Sequence, residues 1–409
     1  MTLPAPRIAT LAATLLAAVL IGGLIGGCSD GDEPTGPSAA PTTDPFYASP
    51  PTVDPAAVPG PEVAPGTIAR SEPIDGLPDD HLGWRILYWT RDAQDRPVIA
   101  SGMVLRPAEP PDHGELPLVA WAHQSTGVAD ACAPSRSGNA PGPAILSLLD
   151  AGVAVAAADY EGLGVVGLAH PYMDGTSAAR SVLDSARAAR LLPGAQATGP
   201  VGVWGYSQGG QAALFAAQHA ASYAPELGVV GVAASAPPSQ PSWIEDSLHD
   251  EGRFQFALFA ISGWSDRDEL LDPGLILTDD GVELAEKVRD DAAVFCPDPN
   301  GPVEDDGLDA LVHSTFEEHQ RWLEALAITE LPPLPAAMPV LVLHGRDDEI
   351  VPIEQGEAAA RTLCAAGSTV EFRELDGDHR AAMLPDLVVD WLTRRSWGIP
   401  ATTTCGLVP

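Results

Sequence analysis

The stretch Val201-Gly202-Val203-Trp204-Gly205-Tyr206-Ser207-Gln208-Gly209-Gly210-Gln211-Ala212-Ala213-Leu214 decides the fold. It opens with an apolar run of strand length. It closes with small residues that suit a helix packed tightly against a sheet. Between them stands a G-x-S-x-G pentapeptide, Gly205 to Gly209. Glycines at its ends permit a strained strand-to-helix turn that holds the Ser207 hydroxyl out at the helix N-terminus.

The same strand–helix rhythm runs outward in both directions. Strand-length apolar runs occur at Trp84–Trp89, Val98–Leu105, Leu116–Ala122, Val153–Ala158, Val201–Trp204, Val229–Ala233, Val340–Leu343 and Thr369–Phe372. Helix-like stretches fall at Ala144–Leu149, Ser177–Leu192, Gln208–Ala220, Glu354–Ala366 and Leu384–Arg395. Continuous apolar strands alternating with helices predict a largely parallel sheet covered on both faces. Together with the nucleophile turn, this predicts the α/β-hydrolase fold. From Pro237 to Pro335 no clear strand is legible, only acidic helix-like segments and an aromatic cluster. We expect a core over 67–236 and 336–409, with a mainly helical cap inserted at 237–335.

Composition narrows the class without naming a function. The chain has 409 residues, 45% apolar and 19% charged, which suits one large domain or one with an insertion. Acidic residues outnumber basic ones by 56 to 21, a formal charge of -35. Such a surface repels phosphate backbones, so nucleic acid is excluded as a partner. At the N-terminus, Arg7 precedes an uncharged, mostly apolar stretch from Ile8 to Ile25, the pattern of a secretory signal. It ends in Gly26-Gly27-Cys28, which resembles the bacterial lipoprotein signal in which the cysteine is lipidated. A signal cut elsewhere and a retained anchor are the alternatives. Residues 1–28 are therefore read as signal segment and 29–66, with ten prolines from Ser29 to Pro65, as a disordered stalk. The expected location is extracytoplasmic, secreted or tethered to the membrane through an N-terminal lipid anchor.

A serine nucleophile needs a base and an orienting acid, in this fold in the chain order Ser, acid, His. Asp348 lies just past the run Val340–Leu343, and His379 lies in the loop after Thr369–Phe372. His344 reads as a structural histidine, and Asp376 and Asp378 as turn residues. Asp159 and Glu161 compete for the acid role but precede the serine. Two backbone N–H donors must stabilise the oxyanion. One is expected at Gln208, the other in the loop His123-Gln124-Ser125-Thr126-Gly127, with Ser125 first and Gln124 second. No CxxC or Cys/His cluster points to a metal, and no cofactor is expected. If Cys28 carries lipid, Cys132, Cys296, Cys364 and Cys405 remain, and spacing leaves their three pairings open.

These residues resemble the secretory lipases, the fungal lipase-A-like enzymes and their bacterial relatives. The resemblance runs from about Gly83 to Cys405. It rests on Trp121-Ala122-His123, Cys132-Ala133-Pro134-Ser135, Asp159-Tyr160-Glu161-Gly162, Gly205-Tyr206-Ser207 and Asp348-Glu349-Ile350-Val351-Pro352. It implies hydrolysis of a small-molecule or lipid carboxylic ester without metal or cofactor. It also implies a triad of Ser207, Asp348 and His379, and pairing of Cys132 with Cys296 and of Cys364 with Cys405. One departure stands at Gln124, where bacterial members carry glycine. A short-chain carboxylesterase, a peptidase, or an inactive hydrolase-fold binding lipoprotein are the alternatives. The cap's aromatic segment, Phe254 to Ile261 with Trp243 and Trp264 beside it, reads either as the cap's own core or as the acyl-chain site.

Overall fold

The structure is a computed structural model that describes residues 44–48, 63–109, 115–136, 142–290, 296 and 308–408. Its sheet contains β1 (Ile68–Pro73), β2 (His81–Arg91), β3 (Pro97–Pro107), β4 (Leu118–Ala122), β5 (Ala154–Glu161), β6 (Val201–Tyr206), β7 (Val229–Ser235), β8 (Val340–Gly345) and β9 (Val370–Leu375). The spatial order is β1-β2-β3-β5-β4-β6-β7-β8-β9. Pairings from β1 to β5 across β2 and β3 are antiparallel, and the rest are parallel. The helices are α1 (Pro143–Asp150), α2 (Gly175–Leu191), α3 (Gln208–Tyr223), α4 (Ser242–Ser247), α5 (Phe254–Ser265), α6 (Asp279–Asp290), α7 (Gln320–Leu326), α8 (Ile353–Ala365) and α9 (Pro385–Ser396).

The two-residue period of a strand sorts its side chains between two helical layers. In β6, Val201 and Val203 join the core under α2, α3 and α8, while Trp204 and Tyr206 join the core under α1 and α9. In β8, Val340 and Val342 face the first layer, and Leu341 and Leu343 the second. Burial on both faces is why these strands read as unbroken apolar runs. β1 escaped that reading because Ile-Ala-Arg-Ser-Glu-Pro alternates half-buried and exposed residues at the sheet edge.

The segment read as stalk is not uniform. Within 29–66, Phe46 and Tyr47 are the only aromatic residues, and both are buried against Leu87, Ile99 and Val165. The Arg85 guanidinium lies over both rings and that of Arg136 over Tyr47. Tyr47 also hydrogen-bonds Ser135 at 2.8 Å. The expectation of disorder is thus corrected at residues 44–48, where two aromatic rings bury enough surface to hold a proline-rich chain. Cys28 lies outside the described residues. Among the described residues, no helix is long and apolar enough to cross a membrane.

Between β7 and β8 stand α4 to α7 and short 3-10 turns, with no strand among the described residues beyond one Leu277–Val312 bridge. The rings of Trp243, Phe254, Phe256, Phe259 and Trp264 are at most 3% exposed. They pack on one another and on Phe316 and Trp322, so they form the cap's own core. The seam to the rest of the fold is apolar in part, with Tyr172, Met173 and Val351 joining the cap's cluster and Phe259 meeting Tyr172 edge-on at 5.5 Å, and polar in part. Just past α5, Arg267 pairs with the buried Glu161 at 2.5 Å and faces the buried Asp92 at 3.7 Å. Trp264 donates its indole N–H to the Tyr172 carbonyl at 2.8 Å.

Removing one partner of a buried ion pair leaves the other uncompensated, at a cost of ~3–5 kcal/mol. Arg267 is partly open to solvent, so Arg267→Ala is expected to destabilise by about 3 kcal/mol, at the lower end of that range. The midpoint of urea unfolding measures it, and an unchanged midpoint would show that the seam does not hold the cap.

Candidate active site

The turn at Ser207 is strained, with φ 56° and ψ -119°. Two close approaches of backbone require glycine on either side of it. A Cβ on Gly205 would lie 1.9 Å from the Gly209 carbonyl oxygen, and one on Gly209 would lie 1.9 Å from that of Ala122. The turn is held from below by the Ser207 N–H, which donates to the Ser235 carbonyl at 2.9 Å. Gln208 follows as the first residue of α3, where helix geometry leaves a backbone N–H without an intrahelical acceptor.

Asp348 and His379 come together from loops at the carboxyl ends of β8 and β9. The Nδ1 of His379 lies 2.7 Å from Asp348 Oδ2, and both residues are buried. The N–H groups of Ile350 and Val351 donate to Asp348 Oδ1 at 3.0 and 2.8 Å. Burial pushes this carboxyl up, but contacts with His344 and His379 and the backbone bonds outweigh burial and bring it to about 2. The His379 ring lies 4.9 Å from that of Tyr206, and the Tyr206 hydroxyl donates to the His379 carbonyl at 3.3 Å. Glycine is again forced where the loops meet, since a Cβ on Gly345 would approach the Asp378 carbonyl to 2.2 Å. Among the described residues, no hydrogen bond joins Ser207 Oγ to His379. Such bonds often tighten only when substrate is present.

The other acids are placed elsewhere. Asp347 is exposed. Asp376 pairs with Arg346 at the surface, and Asp378 caps the turn that carries His379 by accepting from the Arg380 N–H at 3.0 Å. Asp159 is buried among Ser101 Oγ, at 2.6 Å, and Ser135. Glu161 is taken up by Ser177 and Arg267.

In the loop after β4, Gln124 keeps a backbone outside the left-handed region, and Gly127 alone has a positive φ, 104°. Glutamine therefore fits its position without strain. Ser125 is buried and its hydroxyl lies 2.7 Å from that of Tyr172. Cys132 is bonded to Cys296 and Cys364 to Cys405.

Two contacts were not legible in the sequence. His344 Nε2 lies 2.7 Å from the Val351 carbonyl and 3.3 Å from Asp348 Oδ2, so this histidine braces the acid. His170 is held neutral by burial, which pushes it down to about 3. Its Nδ1–H points at the Glu161 carbonyl, 2.7 Å away, so its Nε2 accepts from the Gln208 side-chain amide at 3.0 Å. The His170–Gln208 contact joins loops that follow different strands, and the His344 contacts depend on how the loop after β8 folds back on its own strand, so neither is signalled by local pattern.

The family model for secretory lipases matches residues 142–260, from α1 into α5 and including the Ser207 turn. The matched segment covers 119 of the 409 residues. The chain is related to the secretory lipases. Its relatives include lipase A of Moesziomyces aphidis, 25% identical over 90% of this chain and 82% of that protein. Another is a Mycobacterium tuberculosis protein named a probable inactive lipase, 27% identical over 88% of this chain and 84% of that one. Among solved structures, Candida antarctica lipase A in its closed state superposes with a TM-score of 0.73 at 23% identity, covering 89% and 88% of the two chains. A rice cell-wall-degrading esterase from Xanthomonas oryzae gives 0.64 at 20% identity, covering 82% and 97%. These two likenesses establish the α/β-hydrolase fold for this lipase relative.

The geometry separates the adjacent acids. Asp348→Asn is expected to lower kcat by about 10⁴, as loss of the orienting carboxylate does in serine hydrolases, while Asp347→Asn leaves kcat within about twofold. Assay of both variants on one chromogenic ester checks the ranking. Because the folded carboxyl sits at about 2 and an unperturbed one near 3.9, Asp348 stabilises the fold above about pH 4. That contribution is lost as pH falls from about 4 towards 2. The stability gap between wild type and Asp348→Asn should close over that interval in acid unfolding curves.

Proposed function

We propose that this protein is a secreted or surface-tethered serine hydrolase of carboxylic esters that works through an acyl-enzyme on Ser207. The observation that carries the reading is the 2.7 Å contact from His379 Nδ1 to Asp348, at the same sheet edge as a serine held at φ 56°. His379 Nε2 takes the Ser207 hydroxyl proton as Oγ attacks the ester carbonyl carbon. Asp348 holds the other ring nitrogen protonated and stabilises the imidazolium. Negative charge on the carbonyl oxygen is met by the Gln208 N–H and an N–H of the His123–Gly127 loop, Ser125 first and Gln124 second. The tetrahedral adduct collapses, His379 returns the proton to the leaving alcohol, and the acyl group stays on Ser207. Water, deprotonated by His379, then releases the acid and restores the serine.

We read the Pro-rich 29–66 segment as stalk apart from the anchored residues 44–48, 67–236 with 336–409 as catalytic core and 237–335 as cap. Lipidation of Cys28 would anchor the chain to a membrane, and two disulfides suit an oxidising compartment. The named relatives include enzymes called lipases and one called inactive, so activity itself is the first thing to measure. The inactive scaffold is the second reading.

Ser207→Ala is expected to reduce ester hydrolysis by several orders of magnitude while the fold survives. A serine-directed phosphonate should label wild type once, on the peptide containing Ser207, and leave Ser207→Ala unlabelled. Absence of labelling and of turnover in folded wild-type protein would favour the inactive scaffold.

A further inference from the structure

A cavity of about 360 Å³ lies on the α1 and α9 side of the sheet, beside the catalytic loops. Met103, Trp121, Ile145, Tyr206 and Met383 line it, together with Gln124, and the Cys132–Cys296 disulfide forms part of its wall. These residues bracket the reacting groups along the chain. Tyr206 precedes Ser207 and lies against the His379 ring. Gln124 belongs to the loop assigned to the oxyanion, and Met383 ends the short helix that begins at His379. Trp121 is fixed in an edge-to-face contact with Trp204, ring centres 4.8 Å apart, so this wall is rigid.

The cap's aromatic segment does not line this cavity, its rings being packed on one another and on Tyr172. Pockets as large occur elsewhere on the molecule, so size does not single this one out; its place does, because His123, Gln124 and Tyr206, from the loop after β4 and from the residue before Ser207, line it. We infer that this cavity is the subsite that selects the ester by one of its hydrocarbon arms, acyl or alcohol. The inference rests on the ester-hydrolase reading above. The volume is near the lower end of the ~300–1,000 Å³ found for ligand pockets, enough for one arm but not for a whole triacylglycerol. Selection here is by length and shape, since the lining presents carbon and sulfur with few polar groups. Ile145 on α1 and Met383 after His379 both line the cavity.

The test uses the full chain and two series of chromogenic or coupled esters. One varies the acyl arm from acetate to octanoate with the alcohol fixed, and the other varies the alcohol with acetate fixed. Wild type, Ile145→Phe and Met383→Ala are compared, each normalised to the amount of Ser207 that a phosphonate titrates. Filling the cavity with Ile145→Phe should lower kcat/KM for the larger esters of one series by about tenfold relative to the smallest. Enlarging it with Met383→Ala should shift the same ratio the other way, and the responding series identifies the arm. A variant that merely perturbs the fold would lose titratable serine without changing the ratio. If wild type hydrolyses acetate esters but neither variant alters the size ratio in either series, the subsite is overturned and the ester-hydrolase reading stands. If wild type neither titrates nor turns over, the reading beneath it has failed instead.

Discussion

Everything at this site depends on how closely three pieces of backbone approach each other around Ser207. The turn brings the Gly205, Gly209 and Ala122 backbones so near that a single methyl group on either glycine would overlap a carbonyl oxygen. That packing keeps Ser207 at a positive φ that an L-residue otherwise avoids. The same packing sets the start of α3 against the end of β4. The first N–H of the helix and the loop His123–Gly127 are therefore neighbours because of the turn. The acid and base then only have to reach a point that the turn has already placed at the sheet's carboxyl edge.

Much of this was legible because it is local or periodic. The central strands β4, β5, β6 and β8 are buried at every residue and mostly apolar, and the elbow carries its glycines within five residues. The acid and the histidine follow strand ends, so their order along the chain is enough to propose them. What stayed hidden depends on contacts between distant segments. β1 has no apolar run, since only alternate residues meet the sheet. Phe46 and Tyr47 sit in a proline-rich sequence, and only partners far along the chain, Arg85, Leu87, Ile99, Arg136 and Val165, turn them into an anchor. Glu161 resembles a candidate catalytic acid until Arg267, more than a hundred residues later, occupies it.

The aromatic cap segment teaches a related point. A cluster of rings near a catalytic crevice has the composition of a lipid site and of a small helical core alike. The cap is a layer of short helices with its own interior to fill, and Trp243, Phe256, Phe259, Trp264, Phe316 and Trp322 fill it. Its attachment to the rest of the fold combines apolar contact with Tyr172, Met173 and Val351 with buried charge and indole hydrogen bonds, and the directional bonds define the docking angle more sharply. Composition could not separate these roles, because burial within the cap and burial of a ligand draw on the same side chains.

The two disulfides divide the chain into covalent rings, and the proposed triad is distributed between them. The Cys132–Cys296 bond closes a ring that contains Ser207, and the Cys364–Cys405 bond closes one that contains His379. Asp348 belongs to neither and lies on the open stretch between them. Each ring can close correctly without the other, and neither includes a complete catalytic set. Native cross-links are therefore no proof of a competent enzyme: a fully oxidised molecule becomes one only when the two rings dock across the Asp348 loop. A backbone cut inside either ring leaves its pieces joined, whereas a cut near Asp348 separates nucleophile from base.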